Sequence, residues 1–162
     1  MKRILGLSSL LICSSLWATP QSHDAHTTTA LSPVQVNAIS GAKFLARNAH
    51  NPNIKTTPSG LQYQILKQGT GKKPTLNSTI TVDYEGKLID GTVFDSSFKR
   101  HEPIEFPLKN VITGWQEGIP LIKEGGSIML YIPAKLAYGA EDNVSIPPNS
   151  VLIFKVNLLR VK

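Results

Sequence analysis

One short segment limits what this 162-residue chain can become. Val111 to Gly118 carries two branched aliphatics, an indole and two glycines, and segments that alternate like strands lie on both sides of it. A helix of roughly two turns can cover only one face of a sheet of that size. The sheet must therefore curl around the helix, with Trp115 aimed at the concave side where the two meet. A large aromatic in that position is either a plug in the core or the floor of a pocket.

The flanking pattern supports the curled sheet. Leu61–Leu66 alternates like a half-buried strand, Gly69-Thr70-Gly71 turns the chain, and Ile80–Glu85 alternates again as far as Leu88. Asp90-Gly91 is a strong hairpin signal, after which Thr92–Asp95 begins the return strand. Ile104–Phe106, Gly126–Ile132 and Val151–Leu159 complete the strand-like segments. Pro120 cannot donate a backbone hydrogen bond, so the central helix should stop near Ile119. The pattern predicts an α+β, mostly antiparallel sheet with one helix in its hollow.

A second helix is expected before the sheet. Ser32 suits an N-cap, Pro33 the first helical position, and Gln35 closes a capping box. Ala38, Ala42, Leu45 and Ala49 form a thin apolar stripe, and Asn51-Pro52 ends the helix. So thin a stripe implies docking on the domain or on another chain. Upstream, Lys2-Arg3, the apolar Ile4–Ile12 and Leu16-Trp17-Ala18 read as a cleavable targeting segment over residues 1–18. Residues 19–59 read as a flexible tail, short helix and linker, with the folded domain at 60–162. The chain is then expected in the periplasm or secreted. Ile12 stands where a lipidation motif needs a small residue, which disfavours an anchor on Cys13, the sole cysteine. The apolar run is too short for a stable membrane span.

Composition removes several function classes. The formal charge of +6 is spread without basic runs, and no nucleic-acid partner is expected. Gly71-Lys72-Lys73 has Leu66 and Lys73 where a phosphate loop needs Gly and Ser/Thr. Asp95, Ser96, Ser97 and His101 lack the surroundings of an activated nucleophile. No Cys/His/carboxylate set has metal-ligand spacing, so neither metal nor other cofactor is expected. What remains is an aromatic and aliphatic set, with Asp95 directly after Phe94.

In that set the sequence resembles the FKBP-type peptidyl-prolyl cis–trans isomerases, from about Gly60 to Lys162. The matching blocks are Val82-Asp83-Tyr84-Glu85-Gly86, Asp90 to Ser97, Val111-Ile112-Thr113-Gly114-Trp115, Leu136-Ala137-Tyr138-Gly139, Ile146-Pro147-Pro148-Asn149 and Leu152-Ile153-Phe154. Phe44–Asn48 and Lys55–Tyr63 are similar to the bacterial macrophage infectivity potentiator branch. The resemblance implies an antiparallel half-barrel of five or six strands around one short helix, with an N-terminal helix extension. It also implies an isomerase that twists X–Pro bonds in an apolar pocket and assists folding of exported proteins. Implied as catalytic are Asp95, Tyr138, Trp115 and Phe94; as substrate-binding, Tyr84, Phe106, Val111, Ile112, Ile146 and Phe154. Arg100 matches a basic residue that steadies the Asp95 loop, and Ile104 replaces a common aromatic. Expected partners are proline-containing segments of unfolded exported proteins and macrolides of the FK506/rapamycin type. The 19–59 segment is shorter than that branch's dimerisation region plus long helix, so a monomer or weak dimer is expected. The alternative reading is a chaperone or peptide-binding module with little turnover.

Overall fold

The structure is a computed structural model that describes residues 30–141 and 143–162. The expected targeting segment, Cys13 and the tail as far as residue 29 lie outside the described residues. Helix α1 (Pro33–Asn48) opens with the expected capping box: Ser32 Oγ accepts from Gln35 N at 3.3 Å, and Gln35 Oε1 accepts from Ser32 N at 2.9 Å. The strands follow as β1 (Lys55–Thr56), β2 (Gln62–Lys67), β3 (Thr79–Leu88), β4 (Val93–Ser96), β5 (Ile104–Pro107), β6 (Ser127–Ile132) and β7 (Leu152–Val161). Helices α2 (Ser97–Arg100) and α3 (Thr113–Gly118) lie between β4 and β6.

All pairings are antiparallel, in the order β1-β2-β6-β7-β3-β4, with β5 also on β3. Strand β3 is long enough to serve two partners: its start pairs with β5 and its end with β4. The two-residue β1 was not evident in the sequence. It caps the edge of β2 through Lys55–Tyr63 and Thr56–Gln62, an edge that would otherwise offer unpaired backbone groups. At the β3–β4 turn, Gly91 has φ 90°, and Thr92 N donates to Asp90 Oδ1 at 2.8 Å. A side chain at Gly91 would be strained in that conformation.

Period-two alternation sorts the strands' side chains. Ile80, Val82 and Tyr84 on β3, Ile128, Leu130 and Ile132 on β6, and Phe154, Val156 and Leu158 on β7 enter one core. Helix α3 fills the hollow with Trp115 and lies close to β6 because it presents glycines there. A Cβ on Gly114 would come within 2.4 Å of Ile132 Cγ2, and one on Gly118 within 2.5 Å of Leu130 Cδ2. The α-helix ends at Gly118, and a 3₁₀ turn at Ile119–Leu121 accommodates Pro120.

Helix α1 covers the opposite, outer face. Phe44 and Tyr131 have ring centroids 6.1 Å apart, and the buried Gln62 donates to Leu45 O and accepts from Asn48 Nδ2, both at 2.9 Å. The helix does not dock by the expected apolar stripe, of which Leu45 alone turns inward. Ala38, Ala42 and Ala49 are exposed, whereas Asn37, Ser40, Gly41, Phe44, Leu45 and Asn48 turn inward. Three polar side chains and a glycine on this face explain why hydrophobic periodicity did not find it.

Candidate functional site

A cavity of about 300 Å³ opens where α3 meets the concave sheet. Strand β3 brings Tyr84, β4 brings Phe94 and Asp95, β5 brings Phe106, and β7 brings Phe154. Val111 and Ile112 form the approach to α3, Trp115 lies in its first turn, and Tyr138 follows a 3₁₀ turn at Ala134–Leu136. Nine of the ten side chains picked out from the sequence therefore line one space. Ile146 does not; it is 6% exposed and packs in the core cluster. Ile104 also packs against that cluster, outside the lining. Asn110 lines the cavity unexpectedly. It is carried there by the 3₁₀ turn Leu108–Asn110, and no periodic signal marks such a position.

Trp115 is 4% exposed, and three rings surround it edge-on: Phe154 at 5.3 Å, Tyr84 at 5.4 Å and Phe106 at 6.0 Å between centroids. Phe94 continues the wall, edge-on to Phe154 at 5.6 Å. Edge-to-face packing places positive ring edges against negative ring faces and fixes ring orientation. Trp115 Nε1 is buried with no hydrogen-bond partner among the described residues, so apolar contact holds the indole. The question of plug or floor resolves into both, since the indole packs in the core and lines the cavity.

Tyr84 and Asp95 bring polar groups into the lining. Tyr84 Oη donates to Asp95 Oδ2, Arg100 Nη1 donates to Asp95 Oδ1, and Arg100 Nη2 reaches Tyr84 Oη at 3.5 Å. Both carboxylate oxygens of Asp95 are thereby engaged. Ser97, fully buried, accepts from Tyr84 N at 2.8 Å and donates to Asp83 Oδ1 at 2.9 Å, which pins β3 to the start of α2. Ser96 caps α2 by accepting from Lys99 N at 3.3 Å. The two serines thus hold the Asp95 loop in shape. At the start of α3, the Ile112 carbonyl accepts from Trp115 N at 2.9 Å and Gln116 N at 3.2 Å. The Ile112 N–H donates to no protein acceptor among the described residues.

Burial, and then the bond to Asp95, push the Tyr84 hydroxyl up to about 12. Burial works against the Asp95 charge, but the bonds from Tyr84 and Arg100 and the guanidinium charge outweigh it and leave the carboxyl below its ordinary value. The depressed Asp95 adds stability above the unfolded carboxylate value of about 3.9, and this is lost as pH falls through the lower folded value. The raised Tyr84 adds stability below its unfolded value of about 10, lost as pH rises towards about 12. Denaturation across pH should therefore show a plateau with a fall on each side. Asp95→Asn should weaken the acid fall and Tyr84→Phe the alkaline one. Unchanged flanks in both variants would remove these groups as the cause.

Comparison with known proteins bears on this geometry. Residues 70–159 match the profile described as FKBP-type peptidyl-prolyl cis-trans isomerase. Residues 19–65 match that of a domain amino terminal to FKBP-type peptidyl-prolyl isomerase. The peptidyl-prolyl cis-trans isomerase Mip of Coxiella burnetii is 52% identical over 127 residues, covering 78% of this chain and 55% of its own length. The outer membrane protein MIP of Legionella longbeachae is 46% identical over 127 residues, covering 78% of this chain and 54% of its own. The chain thus spans about half the length of these relatives. The crystal structure of FkpA from Escherichia coli superposes with a TM-score of 0.78 at 45% identity, over 80% of this chain and 61% of that one. With the profile extending from β2–β3 into β7 and the same fold in a solved relative, this chain belongs to the FKBP-type peptidyl-prolyl cis-trans isomerase family.

Proposed function

We propose that this chain is a peptidyl-prolyl cis–trans isomerase that accelerates folding of exported proteins. The observation that carries the reading is the cavity itself: an indole floor, aromatic walls and, at the lip, the Ile112 N–H with no acceptor among the described residues. Rotating a peptide bond costs ~18–20 kcal/mol because the twisted state loses resonance. Before proline, uncatalysed rotation takes roughly tens to hundreds of seconds. Twisting reduces charge separation across the amide, so a dry apolar site favours the twisted form over the planar one. The proline ring lies on Trp115 between Tyr84, Phe106 and Phe154. Ile112 N–H and the Tyr138 hydroxyl hold carbonyls on either side of the turning bond, a positioning role. Asp95, held by Tyr84 and Arg100, keeps the wall rigid and places fixed negative charge near the rotating carbonyl carbon.

The substrates under this reading are exposed X–Pro segments of unfolded chains, and macrolides of the FK506/rapamycin type occupy the same apolar space. Residues 1–18 as a cleavable targeting segment, together with the similarity to an outer membrane protein of Legionella longbeachae, support an exported location. No described helix is long and apolar enough to cross a membrane. The test is a protease-coupled assay on a proline peptide. Acceleration above buffer that a macrolide abolishes is expected. A rate equal to buffer, with peptide binding retained, would replace the enzyme by a peptide-gripping chaperone.

A further inference from the structure

We propose that α1 positions the rim of the cavity from outside the half-barrel, with Asn37 as the residue that sets how firmly a peptide is held. The inference rests on the isomerase reading above. Asn37 Nδ2 donates to the Pro148 carbonyl at 2.9 Å, across 111 residues of sequence. Pro148 lies in the connection between Tyr138 and β7, where Pro147 and Pro148 remove two backbone donors. Within its described residues the connection is held locally where Glu141 N donates to Tyr138 O at 3.2 Å and Ile146 N to Asn143 O at 3.1 Å, and two bonds tie its C-terminal end. Asn149 N donates to Gly139 O at 2.7 Å, and Ser150 Oγ donates to Pro147 O at 2.6 Å. Asn149 sits in the left-handed region at φ 57°, a conformation that persists where its surroundings hold it.

These bonds form a continuous path. Asn37 fixes Pro148, the next residue fixes Gly139, and Gly139 follows Tyr138, whose ring lines the cavity and is 39% exposed. One turn along α1, Gly41 sets the depth of docking. A Cβ there would lie 2.7 Å from Val151 Cγ2, on the residue that leads into β7 and Phe154. Packing alone does not lock this junction, because a second cavity of about 230 Å³ lies between Asn37 and Ser40 of α1 and Asp90, Pro147 and Ser150 of the domain. Beside that gap the Asn37 bond links helix to loop among the described residues.

The experiment compares the full chain with Asn37→Ala, Asn37→Asp and Gly41→Ala in two readouts. Asn37→Asp keeps the side-chain shape and replaces the donor by an acceptor that faces the Pro148 carbonyl. Steady-state isomerisation of a proline peptide should show KM raised about fivefold with kcat unchanged, the effect of one weakened hydrogen bond on holding the substrate. Hydrogen exchange should show the Asn149 amide exchanging about fivefold faster in the variants, with the Leu130 and Val156 amides unchanged. An unchanged KM and unchanged Asn149 exchange in an active protein would overturn the proposal. Equally faster exchange at Leu130 and Val156 would do the same, because it would mean general loosening. A wild-type chain with no isomerase activity would instead remove the isomerase reading, while the exchange readout would still decide whether α1 orders the loop.

Discussion

Replacing Trp115 by alanine is expected to lower the free energy of unfolding by about 3–5 kcal/mol, measured by urea denaturation. The indole is 4% exposed and meets Phe154, Tyr84 and Phe106 edge-on within 6.0 Å. Each aromatic pair of this kind adds roughly 0.5–1.5 kcal/mol beyond the area it buries. No hydrogen bond is lost with the indole, because Nε1 has no partner among the described residues. The cost is therefore packing alone, and it depends on how far the site can collapse. Collapse is hindered because α3 is already seated on β6, with Gly114 against Ile132 and Gly118 against Leu130. Trp115→Leu should recover part of the loss by filling part of the volume. It should still lower isomerase activity, since a branched aliphatic gives the proline ring no flat floor. A loss below about 1 kcal/mol in Trp115→Ala would mean that the aromatic cage closes on itself without the indole.

Asp95→Ala is expected to reduce kcat/KM roughly 10- to 100-fold with the fold retained, read by the protease-coupled assay beside circular dichroism. The carboxylate accepts from both Tyr84 and Arg100. Hydrogen bonds to a charged group contribute about 1.5–3 kcal/mol, equivalent to roughly one to two powers of ten. Removing it takes the acceptor from the Tyr84 hydroxyl and leaves the guanidinium only its 3.5 Å approach to Tyr84 Oη. The change at Tyr84 falls on the wall that faces the rotating bond. Stability should suffer less than in Trp115→Ala, because the Asp95 and Arg100 side chains are 38% and 42% exposed and water can replace part of what is lost. Activity within twofold of wild type would show that the ion pair belongs to the loop and not to catalysis.

Local sequence marks these two residues unequally. Trp115 stood out from its own neighbourhood, because a short helical stretch with glycines admits few reasons for an indole. Asp95 did not. Ser96 and Ser97 beside it lack the surroundings of an activated nucleophile, and only the family resemblance assigned Asp95 to the pocket wall. The structure gives the serines structural work: Ser96 caps α2 and Ser97 ties Tyr84 N to Asp83. The Ser97 bonds leave no periodic trace, because its partners lie 13 and 14 residues away.

The sequence by itself determined the alternating strands, the hairpin at Asp90-Gly91, the capped start of α1 and the short helix that carries Trp115. Each of these follows from interactions within a few residues: alternation across a pleat, a glycine at φ 90°, a serine bonded three residues on. Tertiary structure decided which face of α1 docks, that β1 covers the edge of β2, that Asn110 enters the cavity and that Ile146 stays in the core. The physical reason is distance along the chain. The docked face of α1 is chosen by carbonyls and rings it meets only after folding: Pro148 for Asn37, Gln62 for Asn48 and Tyr131 for Phe44. Side-chain polarity cannot announce such a face, because its polar groups are satisfied by partners that local sequence does not contain.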